Sequence, residues 1–236
     1  MAANYANCTN LIGVIRVAIL LLFLSVPLHA EEVRVAAASD LNFAIKEIVA
    51  GFEHQTGNSV RLTLGSSGNF FAQIVNGAPF DVLLSADVSY PQQLEKRGLT
   101  VSGSTFVYGA GRIVLWTRNN SPIDIERLGM RALLDPSVRK ISIANPEHAP
   151  YGKAAVAAME HAAVYDSVKS KLVFGENIAQ AAQFVQSGAA DIGVIALSIA
   201  LSGPMQTAGR FWIIPDRKST RLNSSHLKLS RMPSSA

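Results

Sequence analysis

The chain is 236 residues long, 49% hydrophobic and 16% charged, with 21 basic and 17 acidic residues and a formal net charge of +4. Those proportions exclude a disordered or collagen-like chain and allow one large domain or two small ones. One cysteine, Cys8, excludes a disulfide framework.

The positive balance comes from the two ends. Residues 1–30 read as a secretory signal peptide: Arg16 supplies positive charge, Val17–Val26 is apolar, and Leu28-His29-Ala30 offers a small-residue cleavage site before Glu31. That apolar run falls well short of the roughly 20 residues of a membrane span. Cys8 precedes the run, so it is not placed as a lipid anchor, and the exported chain carries no thiol. Residues 217–236 read as a non-native or disordered tail, Ser-rich and basic, with no acid and no apolar period. Setting aside Arg16 and the tail's Arg217, Lys218, Arg221, Lys228 and Arg231 leaves 15 basic against 17 acidic residues over 31–216. A body of net charge −2 gives no reason to expect a nucleic-acid partner.

The body alternates strand and helix. Val33–Ala38 is a short apolar strand, and Leu41, Ile45, Ile48, Val49 and Phe52 then recur at helical spacing. After Gly57-Asn58, Val60–Leu64 alternates like a strand, and a helix runs through Phe70, Phe71, Ile74 and Val75 to Gly77. Val82–Leu84 is the next strand. Val107–Trp116 reads as one long strand, interrupted by Gly109 and Gly111, that crosses between lobes. Then come a strand at Ile141–Ala144, helices at Lys153–Ala163 and Ala179–Gln186, and strands at Ile192–Ile195 and Phe211–Ile214. This order predicts an α/β fold with mostly parallel sheets and helices on both faces. A near-repeat, Gly77-Ala-Pro-Phe-Asp81 against Gly188-Ala-Ala-Asp191, places an Asp at the mouth of an apolar strand in each half.

The polar residues gather where strands end and helices begin. Ser39-Asp40 follows the first strand, Gly65-Ser66-Ser67-Gly68-Asn69 the second, Asn145 to Lys153 the strand at Ile141, and Gly175-Glu-Asn-Ile178 opens another helix. Ligands of open α/β sheets bind beyond the carboxyl ends of strands, where helix starts offer unpaired N–H groups to an anion. Each of these loops is also an ordinary cap by itself. Lys153 is expected to be solvated, and His148 to be a loop hydrogen-bonder rather than a metal ligand. Asp81 and Asp87 are read as structural strand-mouth carboxylates. His54, His148 and His161 have neither ligand nor triad spacing, and there is no nucleophile elbow or Walker loop, so no enzyme is expected.

Taken together, AAASDL at 36–41, GSSGNFFAQI at 65–74, GAPFDVLLSAD at 77–87, NPEHAPYGKAA at 145–155, GENIAQAAQFV at 175–185 and GVIALS at 193–198 resemble the periplasmic molybdate-binding proteins of ABC importers. The resemblance covers residues 31–216. It implies a two-lobed, type II binding-protein fold, with lobe 1 over 31–110, lobe 2 over 111–216 and the ligand between them. It further implies an oxyanion, molybdate or tungstate, held by the hydroxyl and N–H of Ser39 and of Ser67 and by the N–H groups of Tyr151 and Ile178. The Tyr151 hydroxyl is a further expected donor. Asp40 belongs to this site and is expected to turn away from the anion and serve the helix start. No metal is ligated directly, since the anion is bound through its oxygens, and no cofactor is implied. The implied partner is a membrane permease, the expected state a monomer, and the expected place the periplasm of a Gram-negative-type cell. A binding protein for sulfate or phosphate is the alternative, and a hydrolase of a small anionic ester the alternative of another class. The family fold ends with a return crossing to lobe 1. Nothing after Ile214 reads as able to supply it, so a bare apolar face on lobe 1 and poor solubility are expected.

Overall fold

The computed structural model describes residues 31–215 and 222–229; the expected leader and the remainder of the expected tail lie outside the described residues. Ten strands form two sheets of five among those residues. In the first, β1 (Glu32–Ala38), β2 (Ser59–Gly65) and β3 (Val82–Ser85) run parallel, and β4 (Phe106–Gly111) lies at the far edge. The second contains β5 (Ile113–Arg118), β6 (Ile141–Ala144), β7 (Leu172–Gly175), β8 (Ile192–Ala196) and β9 (Gly209–Ile213), in the order β7-β6-β8-β5-β9. The longer helices are α1 (Ala44–Thr56), α2 (Ser67–Val75), α3 (Ser89–Lys96), α4 (Pro150–His161) and α5 (Ile178–Ser187). This is the α/β, two-sheet arrangement that the alternating pattern predicts.

The two cores differ in depth. β8 is buried along its whole length, and β5 is buried from Ile113 to Thr117, as continuous apolar strands covered on both faces must be. Among the largest fully buried side chains, Leu83 and Leu94 belong to the first lobe, whereas Trp116, Ile141, Ile143 and Ile192 belong to the second. At about 1.5–3 kcal/mol for each fully buried side chain of this size, the second lobe holds most of the hydrophobic stabilisation. In the first, β1 sends Ala36 to one face with Phe70, Ile74 and Leu83, and Val35 and Ala37 to the other with Ile45. Ile48 of α1 stays 61% exposed and Phe106 of β4 57% exposed.

The near-repeat is an equivalence of the two lobes. The Asp81 N–H donates to the Arg34 carbonyl, and the Asp191 N–H to the Lys140 carbonyl. The Asp81 carboxylate accepts from the Arg34 N–H and guanidinium; that of Asp191 accepts from the Arg139 and Lys140 N–H groups. Both aspartates therefore tie the entry of one parallel strand to its neighbour.

Three expectations are corrected. The apolar run 107–116 is two strands, because its first half pairs in one sheet and its second half in the other, with the crossing at Arg112. Helix α4 begins at Pro150 rather than Lys153, because proline at the first helical position has its φ preset and lacks only an N–H the helix does not use. The third concerns the tail. Leu222–Lys228 forms β10, antiparallel to both β3 and β4 and inserted between them, so the first sheet reads β2-β1-β3-β10-β4. The return to lobe 1 is therefore present over 222–228, where an irregular tail was expected. β3 and β4 do not pair with each other, and the intervening backbone groups need a partner that any extended segment can supply. Leu229 adds to this by packing with Phe70, Leu83 and Leu94. No helix among the described residues is long and apolar enough to cross a membrane.

Candidate functional site

All described elements belong to one compact unit that starts at Glu32. Between the sheets lies a small hollow of about 10 Å³, lined by Ser39, Asp40, Ser67, Tyr151 and Ile178 together with Gly65, Ser66 and alanine or proline backbone. Among the described residues no lysine or arginine lines it. The five residues singled out from sequence thus converge, two strand ends of the first lobe facing two helix starts of the second. Larger hollows of about 330–470 Å³ are open surface grooves elsewhere.

Ser39 opens a short 3-10 turn, Ser39–Leu41, straight after β1, and is 2% exposed. Its hydroxyl accepts from the Ala179 N–H of the other lobe at 3.4 Å. Ser67 is 1% exposed, and its hydroxyl accepts from the Ala86 N–H at 3.0 Å. A hydroxyl has one proton to give, and in both serines the backbone donor occupies an oxygen lone pair and leaves that proton available. Across the hollow, the Asn177 side chain caps α5 by accepting from Ala179 and Gln180, so the N–H of Ile178, first in the helix, is not used by its own cap. Tyr151 follows Pro150 in the first turn of α4, where an N–H also has no intrahelical acceptor.

The Tyr151 hydroxyl, expected to be a further donor to the anion, donates here to Asp40 Oδ2 at 2.9 Å, and a phenol has only one proton. Asp40 was expected to turn away from the anion and serve the helix start. It is 6% exposed, takes that bond from the opposite lobe, and leaves Oδ1 buried with no hydrogen-bond partner. Burial raises the Asp40 carboxyl to about 6, against the lowering effect of the Tyr151 hydrogen bond. The Tyr151 phenol is pushed up in turn, by its own burial and by the Asp40 charge.

A ring of contacts that the sequence did not single out closes the lobes around the hollow. The Gly68 N–H donates to the His148 carbonyl at 2.9 Å, and a Cβ at residue 68 would run into that oxygen. Ser66 Oγ lies 2.9 Å from His148 Nδ1, Asn69 donates to Glu176 at 2.6 Å, and Ser198 donates to the Asp40 carbonyl at 2.8 Å. The glycine of the Gly65–Asn69 loop was the one legible sign of this closeness. Lys153 lies off the hollow, donating to the Tyr90 hydroxyl at 3.3 Å and sitting over its ring. Among the described residues no group of acidic, His or Cys side chains is arranged to hold a metal ion.

Two α/β lobes meeting over a small hollow lined by serines and helix starts define a solute-binding protein of the type II kind. The chain belongs to the bacterial extracellular solute-binding proteins, whose family profile matches residues 33–225. It is 42% identical over 187 residues to the molybdate-binding protein ModA of Azotobacter vinelandii, covering 79% of this chain and 73% of that one. It is 38% identical over 196 residues to ModA of Rhodobacter capsulatus, covering 83% and 75%. The solved periplasmic molybdate-binding protein of Azotobacter vinelandii superposes with a TM-score of 0.77 at 30% identity, over 86% of this chain and 87% of that one.

Proposed function

We propose that this protein captures molybdate outside the cytoplasm and delivers it to the permease of an ABC importer, without turnover. The observation that carries the reading is the convergence of two serine hydroxyls and two helix-start N–H groups on one closed hollow without a cation. Ser39 and Ser67 donate from the first lobe, Tyr151 and Ile178 from the second, so the anion itself holds the lobes together. Molybdate and sulfate are fully deprotonated at neutral pH and are satisfied by donors alone. Hydrogen bonds to a charged group contribute roughly 1.5–3 kcal/mol each, so four of them, less ordering costs, reach the ~8 kcal/mol of micromolar binding. The hollow, at about 10 Å³, has room for about one water, so the two donor walls must part to admit an oxyanion and close on it. Molybdate differs from sulfate by its longer bonds to oxygen, and tungstate shares its size, so selectivity rests on the span between the two donor walls.

The protein works as a periplasmic monomer in this reading, with no cofactor and no nucleic-acid partner. Calorimetric titration of the full chain with molybdate, tungstate, sulfate and phosphate tests it. Molybdate and tungstate should bind alike and tightest. Tighter binding of sulfate, or no binding of molybdate, overturns the assignment.

A further inference from the structure

The described donors leave one group in the hollow without a task. Asp40 lines the hollow, its Oδ1 is buried and unpartnered, and its Oδ2 is held by Tyr151 across the cleft. An ionised carboxylate here would face a bound dianion inside the same closed space, and no lysine or arginine lines that space to offset the repulsion. We propose that Asp40 is the proton-carrying selectivity residue of the site: capture of a fully deprotonated dianion takes up one proton from solution onto Oδ1, which then donates to the anion. This rests on the anion-binding reading above and adds to it the species of anion preferred.

The surroundings of Asp40 support a proton rather than a counter-ion. The ionisable groups that act on or respond to it are phenols, Tyr151 of α4 and Tyr108 of β4, the latter raised by burial and by the Asp40 charge. The two helical segments packed on the Ser39–Leu41 turn, α5 and Leu197–Ala200, carry no ionisable side chain; Ser198 reaches only the Asp40 carbonyl. Among the described residues no cation's charge bears on the carboxyl, and burial already favours its neutral form. A protonated carboxyl with Oδ2 held by Tyr151 points its one remaining donor into the hollow and makes the whole lining donor-only. An ionised Asp40 is instead an acceptor, suited to an oxyanion that brings its own hydrogen, as hydrogen phosphate does. The same side chain thereby sorts anions by protonation. Molybdate and sulfate bind with uptake of a proton, and hydrogen phosphate binds with none because its O–H supplies the proton between the two oxygens.

The test is calorimetry of the full chain with molybdate, sulfate and phosphate, between pH 7 and 8.5, in buffers of differing ionisation enthalpy, beside Asp40→Asn. For the wild type, molybdate or sulfate should take up close to one proton, and affinity should fall about tenfold per pH unit. The amide that Asp40→Asn introduces donates permanently, so the variant should bind molybdate with no uptake, a flat pH profile and higher affinity than wild type at pH 8. Dianion binding without proton uptake, or equal uptake in the variant, overturns the proposal. If the variant does not fold, the wild-type proton count with a dianion decides alone. Binding of sulfate but not molybdate overturns the cargo assignment and leaves the proton count to judge Asp40; no binding of any of the three overturns both.

Discussion

Replacing Ser67 with alanine separates a ligand donor from a structural clasp. The hydroxyl is 1% exposed and accepts from the Ala86 N–H at 3.0 Å. Its loss has two consequences that fall on different measurements. One donor to a charged ligand disappears, a loss of about 1.5–3 kcal/mol, or roughly 10- to 150-fold in Kd. The Ala86 N–H also loses its partner, whether or not a ligand is bound, which costs about 1–3 kcal/mol of stability. For a domain of this size each kcal/mol moves Tm by about 2–4 °C. Titration calorimetry and thermal melting of the ligand-free protein read the two losses separately. Ser66→Ala is the comparison, since that hydroxyl meets His148 and caps α2 outside the donor set; it should weaken binding only about fivefold, through lost closure. A Ser67→Ala Kd within threefold of wild type, with a lowered Tm, would reduce Ser67 to a clasp for the loop after β3.

Gly68→Ala should weaken anion binding at least tenfold, because the added methyl meets the His148 carbonyl only when the lobes are together; an unchanged Kd by calorimetry would contradict that. Asp40→Asn should also change how stability depends on pH. The folded carboxyl titrates near 6 against an ordinary 3.8, so its penalty is absent below about pH 4 and grows as pH rises through 6, to about 3 kcal/mol. The ligand-free variant should melt higher than wild type at pH 8 and equally at pH 4; parallel melting curves across that range would refute it. Tyr151→Phe removes the larger of the two hydrogen bonds that favour the Asp40 anion, so the wild-type fall in dianion affinity should begin at a higher pH. Asp81→Ala, which cuts the Arg34 tie between β1 and β3, should lower Tm and leave Kd within about threefold, checked by the same two assays.

Much of this molecule is legible because strand ends and helix starts are marked by the same residues that build the site. Ser39, Ser67 and Asn177 stand where an apolar run stops and a helical period begins, and the structure puts all three loops at one cleft. What was not legible depends on pairing across the chain. Nothing in Tyr151 says that its hydroxyl meets a carboxylate 111 residues away, and nothing in Asp40 distinguishes a solvated helix-start carboxylate from a buried one. β7 and α3 escaped because Leu172–Gly175 is four residues long and Ser89–Lys96 is mostly polar with a proline in its first turn. β10 escaped for a deeper reason: its place is set by backbone groups of β3 and β4, and the Leu-Asn-Ser-Ser opening of its sequence carries almost no apolar signature.

That late strand has a bearing on the order in which the protein folds. β4 is hydrogen-bonded to its sheet only through β10, which lies more than a hundred residues downstream. A chain made N-terminus first cannot pair β4 with its sheet until Leu222–Lys228 is available. Half of the candidate site stands on that lobe, so β10 ties the last part of the described chain to the sheet that carries Ser39 and Ser67.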